Sequence, residues 1–187
     1  MKVERTSLSG VLIITPEVHT DDRGSFRESW QRSRYDEAGL PTEWWQDNVS
    51  ISRRGVLRGL HYQHPNPQGK LVTVLRGEIL DVAVDVRAGS PDFGRFVTAT
   101  LSGENGRQLW VPEGFAHGFQ VLSEEAIVHY KVTRPYDPAA DRTIAWNDPA
   151  IGIEWRGAKP ILSRKDAAGR RLGEFAPDEL PAYRPER

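Results

Sequence analysis

The sequence predicts an all-β fold, an antiparallel β-barrel or sandwich with a few short helices. Three observations carry the prediction. Ten short apolar or alternating runs follow one another at near-regular spacing, turn residues separate most of them, and one stretch alone has a convincing helical pattern. The runs cover residues 11–14, 46–52, 56–63, 71–75, 79–86, 96–101, 108–111, 117–122, 126–132 and 143–146, and the helix 33–40. Doubly wound α/β folds, which need helices between strands, are disfavoured.

Turn chemistry and alternation justify the elements in order. Arg76-Gly77-Glu78 joins the run ending at 75 to the one beginning at 79 as a tight connection, and residues 102–106 (SGENG) do the same before 108–111. Within 79–87, Leu80, Val82, Val84 and Val86 point one way, to a packed face, while Asp81, Ala83, Asp85 and Arg87 point to a polar one. Within 126–132, Val128, Tyr130 and Val132 share a face opposite His129 and Lys131, so Tyr130 is expected inward. Seventeen glycines and thirteen prolines are spread along the 187 residues instead of gathering in a linker. A single domain is expected over residues 1–187, with an N-terminal arm at about 1–30 and a short C-terminal tail at about 167–187.

Composition excludes several chemistries. With no cysteine there is no disulfide framework, thiolate metal site or thiol nucleophile. Charge nearly cancels, 26 acidic against 25 basic residues, which gives no broad basic face for nucleic acid or an anionic membrane. No apolar signal core opens the chain, and no aliphatic run approaches the ~20 residues of a membrane helix. A cytoplasmic protein is expected, with no nucleic-acid or membrane partner.

Residues 106–117 (GRQLWVPEGFAH) fit the second signature of the cupin barrel, in which a proline and two glycines shape the turn that presents a histidine inward. A metal-binding cupin also needs a first motif with His-x-His and a downstream Glu. Here residues 59–70 read GLHYQHPNPQGK: Gln63 stands two positions after His61, and His64 falls on the opposite strand face. The ligand set is incomplete, and no catalytic metal or other cofactor is expected. Singly, His61, His117 and, still more, Tyr130 read better as buried structural residues than as chemistry, and DRGSFRE (22–28) as a solvated charged turn.

Together the motifs are more specific. VLRGLHYQ (56–63), Lys70, GEILDVAVDVR (77–87), SPDFG (90–94), QLWVPEGFAHGF (108–119), YKVTRPYDP (130–138), WNDPAIGIEW (146–155) and the LSRKD run occur with DRGSFRE and QDNVSIS (46–52) in one order. From about residue 11 to about 166 the chain resembles the dTDP-4-dehydrorhamnose 3,5-epimerases, metal-free cupins that invert two stereocentres of a nucleotide-linked 4-keto-6-deoxyhexose. The resemblance implies a base, an acid on the opposite face of the ring, and a cationic partner for the enolate oxygen. Imidazole, with an ordinary pKa of about 6.5, is mostly neutral at pH 7, and a phenol of pKa about 10 keeps its proton. The resemblance assigns His61 as base, Asp166 as its orienting carboxylate, Tyr130 as acid and Lys70 as enolate stabiliser. It makes His117 and Asp81 a second histidine–carboxylate pair near the sugar. Arg58, Lys165, Gln46 and Asn48 match positions for the nucleotide diphosphate, with Asp47 in the same cluster. Arg23, Phe26 and Glu28 match an arm that reaches the partner subunit's pocket, which implies a homodimer.

Two features depart from simple expectation. Arg58 and His61 have an odd spacing, so both reach one pocket only if Gly59 allows a bend or bulge. Asp141 stands where the family often has a longer Glu, and Pro135 where some members carry an aromatic residue, leaving Tyr136 as the candidate for nucleobase packing. Rival readings are a one-centre epimerase of a dTDP-4-keto-6-deoxysugar, a metal-dependent cupin oxygenase and a non-catalytic sugar-binding cupin.

Overall fold

A computed structural model describes residues 1–157 and 159–184; the last residues of the expected tail, 185–187, and position 158 lie outside them. Its strands are β1 (Lys2–Arg5), β2 (Leu12–Thr15), β3 (Val18–Asp21), β4 (Gly24–Arg27), β5 (Gln46–Arg53), β6 (Leu57–Gln63), β7 (Lys70–Arg76), β8 (Glu78–Asp85), β9 (Phe96–Ser102), β10 (Gln108–Val111), β11 (Phe115–Val121), β12 (Glu125–Val132) and β13 (Asp141–Thr143). Two short helices, α1 (Arg32–Glu37) and α2 (Arg164–Ala167), join them. The strands form a six-stranded sheet, β1-β2-β10-β7-β12-β5, a five-stranded sheet, β13-β6-β11-β8-β9, and the separate hairpin β3-β4. All these pairings are antiparallel, and the two large sheets face each other as a cupin-type jelly roll.

The interior between the sheets is apolar toward one end. Val72 and Val74 of β7, Leu101 of β9, Leu109 of β10, Phe115 and Phe119 of β11 and Val128 of β12 meet there. Each such side chain taken fully from water stabilises the fold by roughly 1.5–3 kcal/mol. Both connections read as tight turns cross between the sheets instead of closing a hairpin. β7 pairs with β10 and β12, whereas β8 pairs with β9 and β11. At the first crossing Gly77 has φ +77° and lies so close to Glu125 that a Cβ would sit 2.0 Å from its carbonyl oxygen.

The alternation in β8 is real, but its two faces are not one packed and one open. Leu80, Val82, Val84 and Val86 pack outward under Ile144, Ile151, Leu172, Phe175 and Leu180 of the C-terminal segment, while Ile79 and Ala83 join the interior between the sheets. Asp81 and Asp85 are consequently fully buried. What was expected as a tail thus includes a third layer over the five-stranded sheet. Likewise Tyr35 and Leu40 cover the outer face of the six-stranded sheet with Ile14, Leu71 and Trp110.

Three boundaries move. The helix expected over 33–40 stops at Glu37, because Gly39 turns left-handed at φ +71°. The last strand lies at Asp141–Thr143, with Ile144 making a lone bridge to Arg170. Of the expected arm, β1 and β2 belong to the six-stranded sheet, and the exposed β3-β4 hairpin is the projecting part.

Candidate active site

Register places the polar side chains on the inner face of the six-stranded sheet. Tyr130 on β12 pairs with Asn48 on β5 and Val72 on β7, and Val132 pairs with Gln46 and Lys70. Side chains alternate along each strand, so Gln46, Asn48, Lys70 and Tyr130 share the interior with Val72. The same alternation sends Asp47, Val49 and Ile51 outward, where they are exposed.

On the opposite sheet, β6 bends. His117 of β11 pairs with His61, but Phe119 pairs with Arg58, so β6 spends three steps where β11 spends two. The extra residue brings Arg58 and His61 to the same cavity despite their odd spacing. Gly59 makes this local path feasible. Its φ is +119°, and a Cβ there would stand 2.6 Å from Gly118 Cα and 2.7 Å from the His117 carbonyl oxygen.

His61 Nε2 lies 2.6 Å from Asp166 Oδ1. Burial pushes the Asp166 carboxyl up, but hydrogen bonds from His61 and Ser163, the His61 charge and the Gly59 N–H together hold it below its usual range. An ionised carboxylate only accepts, which assigns the imidazole proton to Nε2 and leaves Nδ1 as the free base. Asp166 reaches this place from α2, a helix capped by the Ser163 side chain.

Two adjoining cavities of 330 and 310 Å³ share His61, Lys70, Tyr130 and Lys165 in their walls. Lys70 is buried, and burial lowers its ammonium to about 8 against the opposing pull of Asp141. Burial raises the Tyr130 phenol, with Arg58 pulling it down, so it holds its proton at neutral pH. His117 Nε2 lies 2.7 Å from Asp81 Oδ1, and burial raises that carboxyl despite the histidine. Among the described residues no three His, Asp or Glu side chains converge to hold a metal ion; each of these two histidines faces a single carboxylate.

The family model for dTDP-4-dehydrorhamnose 3,5-epimerase matches residues 5–174. The chain belongs to this family. It is 55% identical over 151 residues to the dTDP-4-dehydrorhamnose 3,5-epimerase of Methanothermobacter thermautotrophicus, which covers 81% of this chain and 82% of that protein. It is similar to the crystal structure of dTDP-6-deoxy-D-glucose-3,5-epimerase from Legionella pneumophila in complex with dTDP-4-keto-L-rhamnose. There the TM-score is 0.96 at 48% identity, covering 98% of this chain and 99% of that one. A 4-keto-6-deoxy sugar epimerase from Streptomyces spheroides superposes with TM-score 0.93 at 38% identity, covering 98% of this chain and 94% of that one.

For this member of the epimerase family, the structure gathers most of the expected residues and leaves some apart. Gln46, Asn48, Arg58, His61, Lys70, His117, Tyr130, Asp141, Lys165 and Asp166 line the two cavities. Asp81 sits behind His117, fully buried. Asp47 is not on the cavity side; it pairs on the outer face with Lys131 at 3.0 Å. Arg23, Phe26 and Glu28 lie on or beside the β3-β4 hairpin, away from these cavities within one chain; Arg23 pairs with Asp21 and Glu28 with Arg34. Asp141 bridges two neighbours, accepting from the Tyr136 hydroxyl at 2.7 Å and contacting Lys165 Nζ. Its proximity to Tyr136 raises that phenol.

Sequence reasoning missed Ser50, Tyr62, Gln63, Gln68, Phe119 and Ser163, all in the cavity walls. Nothing in the sequence near Gln68 marks it. Ser163 had a signal, the Ser-x-x-Asp spacing of a helix N-terminus.

Proposed function

We propose that the protein is a cytoplasmic epimerase that inverts C3 and C5 of dTDP-4-dehydro-6-deoxy-D-glucose, giving dTDP-4-dehydro-L-rhamnose without metal or organic cofactor. One observation carries the reading. The candidate base and the candidate acid stand on facing sheets, His61 on β6 and Tyr130 on β12, and both line the same cavity. Inversion needs that opposition, since a proton must leave one face of the ring and another must arrive at the other.

In this reading Nδ1 of His61 removes the proton on a carbon next to the 4-ketone, and Asp166 balances the imidazolium. The electron pair moves onto the ketone oxygen, where the buried Lys70 ammonium stabilises the enolate. The Tyr130 hydroxyl returns a proton to the opposite face and is re-protonated from solvent. The His61 imidazolium gives up its proton to solvent, and repetition at the second carbon completes the reaction. Arg58 and Lys165 supply charge for the diphosphate, with Gln46 and Asn48 as neutral donors. Tyr136 at the cavity rim is the candidate for the nucleobase. His117, held by Asp81, binds the sugar.

The homodimer belongs to the same proposal. Arg23 and Phe26 are exposed on a hairpin separate from both large sheets, while Val49 and Ile51 leave an apolar strip on the outer face of β5. A second copy would receive the arm and cover the strip. Incubating the protein with the 4-keto sugar nucleotide and a downstream 4-ketoreductase, then identifying the hexose, tests the function. L-Rhamnose is expected; a hexose inverted at one carbon, or unchanged substrate, would overturn it.

A further inference from the structure

We propose that Ser163 is a positioning residue that locks the Asp166 carboxylate against His61. The proposal rests on the epimerase reading, in which His61 is the base. The two oxygens of the buried Asp166 carboxylate are held from different directions. Oδ1 meets His61 Nε2 at 2.6 Å and accepts from the Gly59 N–H at 3.4 Å, both on β6. Oδ2 accepts from the Ser163 hydroxyl at 2.6 Å. In return, Ser163 Oγ accepts from the Asp166 backbone N–H at 3.1 Å.

A hydroxyl has one proton and two lone pairs, so Ser163 can do both at once. The backbone bond is an ordinary helix cap and needs nothing of the carboxylate. The bond to Oδ2 is separate from capping, and its effect is on rotation. A carboxylate held at Oδ1 alone can turn about its Cβ–Cγ bond when the imidazole moves. Held at both oxygens, it keeps Oδ1 aimed at Nε2 while the ring gains and loses its proton. Ser163 itself lies in the wall of the cavity beside Lys165 and Arg58, so the anchor sits next to the reaction and not beneath the fold.

The test measures kcat and KM for Ser163→Ala, Ser163→Gly and Ser163→Thr, alone and combined with Asp166→Asn. Glycine is a good helix cap, so Ser163→Gly removes the hydroxyl while sparing the start of α2. The alanine and glycine variants are expected to lose about 10- to 100-fold in kcat, with KM little changed, and threonine to restore it. In the Asp166→Asn background, Ser163→Ala is expected to cost nothing more, because the group it acts through is gone. Wild-type kcat in both the alanine and glycine variants, or a loss that multiplies in full with Asp166→Asn, would overturn the positioning role. If Asp166→Asn alone is as fast as wild type, the failure lies in the epimerase reading of Asp166, and the role of Ser163 falls with it.

Discussion

The imidazole of His61 and the carboxylate of Asp166 meet at 2.6 Å across 105 positions of sequence, one at a bend in β6 and the other on a helix of four residues. The contact directs the ring proton to Nε2 and, in the proposed mechanism, sets a counter-charge beside the imidazolium. Replacing His61 with Asn keeps a polar side chain but removes the proposed base. A loss of about 100- to 10,000-fold in kcat is expected, with the sugar nucleotide still bound, as measured by calorimetry. Turnover near wild type would remove His61 from the chemistry.

Tyr130 faces His61 from the other sheet, and a phenol kept protonated by burial is suited to delivering a proton but not to removing one. Tyr130→Phe should therefore separate the half-reactions. Exchange of the substrate's carbon-bound hydrogen with deuterium from solvent is expected to continue, while inverted product forms at least about 100-fold more slowly. Loss of both processes together would assign the abstraction step to Tyr130.

Lys70 gives a pH dependence with a definite sign. Burial lowers its ammonium to about 8, so the charge proposed to stabilise the enolate is present below that pH and disappears as pH rises through it. The alkaline limb of kcat/KM is expected near pH 8, and Lys70→Met should abolish that limb while lowering kcat by about 100- to 1,000-fold. An alkaline limb that survives in the Lys70→Met enzyme would belong to another group.

The C-terminal segment is predicted to be structural in a strong sense. Phe175 is buried beside Tyr62, with ring centroids 5.9 Å apart, and Arg170 stacks on it at 3.9 Å. Phe175→Ala should cost about 3–5 kcal/mol of unfolding free energy, measured by denaturant titration. An unchanged midpoint would mean that this layer contributes nothing to the fold.

The proposed arm exchange can be read from mixed subunits. A chain carrying His61→Asn and a chain carrying Arg23→Ala each have an impaired site as homodimers. If the arm acts on the partner, their heterodimer contains one site with His61 and Arg23 both native, and activity should recover toward half that of wild type. Activity no greater than the average of the two homodimers would place the arm in its own subunit's site or outside catalysis.

Much of this was legible in the sequence because it depends on local rules. Strand alternation carried Tyr130 to the interior, and the odd spacing of Arg58 and His61 required the bend that Gly59 supplies. The rest depended on contacts between distant segments. Nothing local to β8 shows that Leu80, Val82 and Val84 are covered by Ile144, Ile151, Leu172, Phe175 and Leu180, so the face of Asp81 and Asp85 reads from sequence as a polar one. Asp47 was legible too, since alternation within residues 46–52 turns it away from Gln46 and Asn48 and toward Lys131. Ser163 carries a local cap signal, the Ser-x-x-Asp spacing, but its separate bond to Asp166 Oδ2 shows only in three dimensions.

Double inversion through enolates by His61 and Tyr130 leaves its record in solvent deuterium. In heavy water with the purified protein and the 4-keto-6-deoxy sugar nucleotide, mass spectrometry and proton NMR of the reduced product should find deuterium at both C3 and C5, with L-rhamnose stereochemistry. Deuterium at one carbon alone would mean a single inversion, and inverted product free of deuterium would exclude the enolate route.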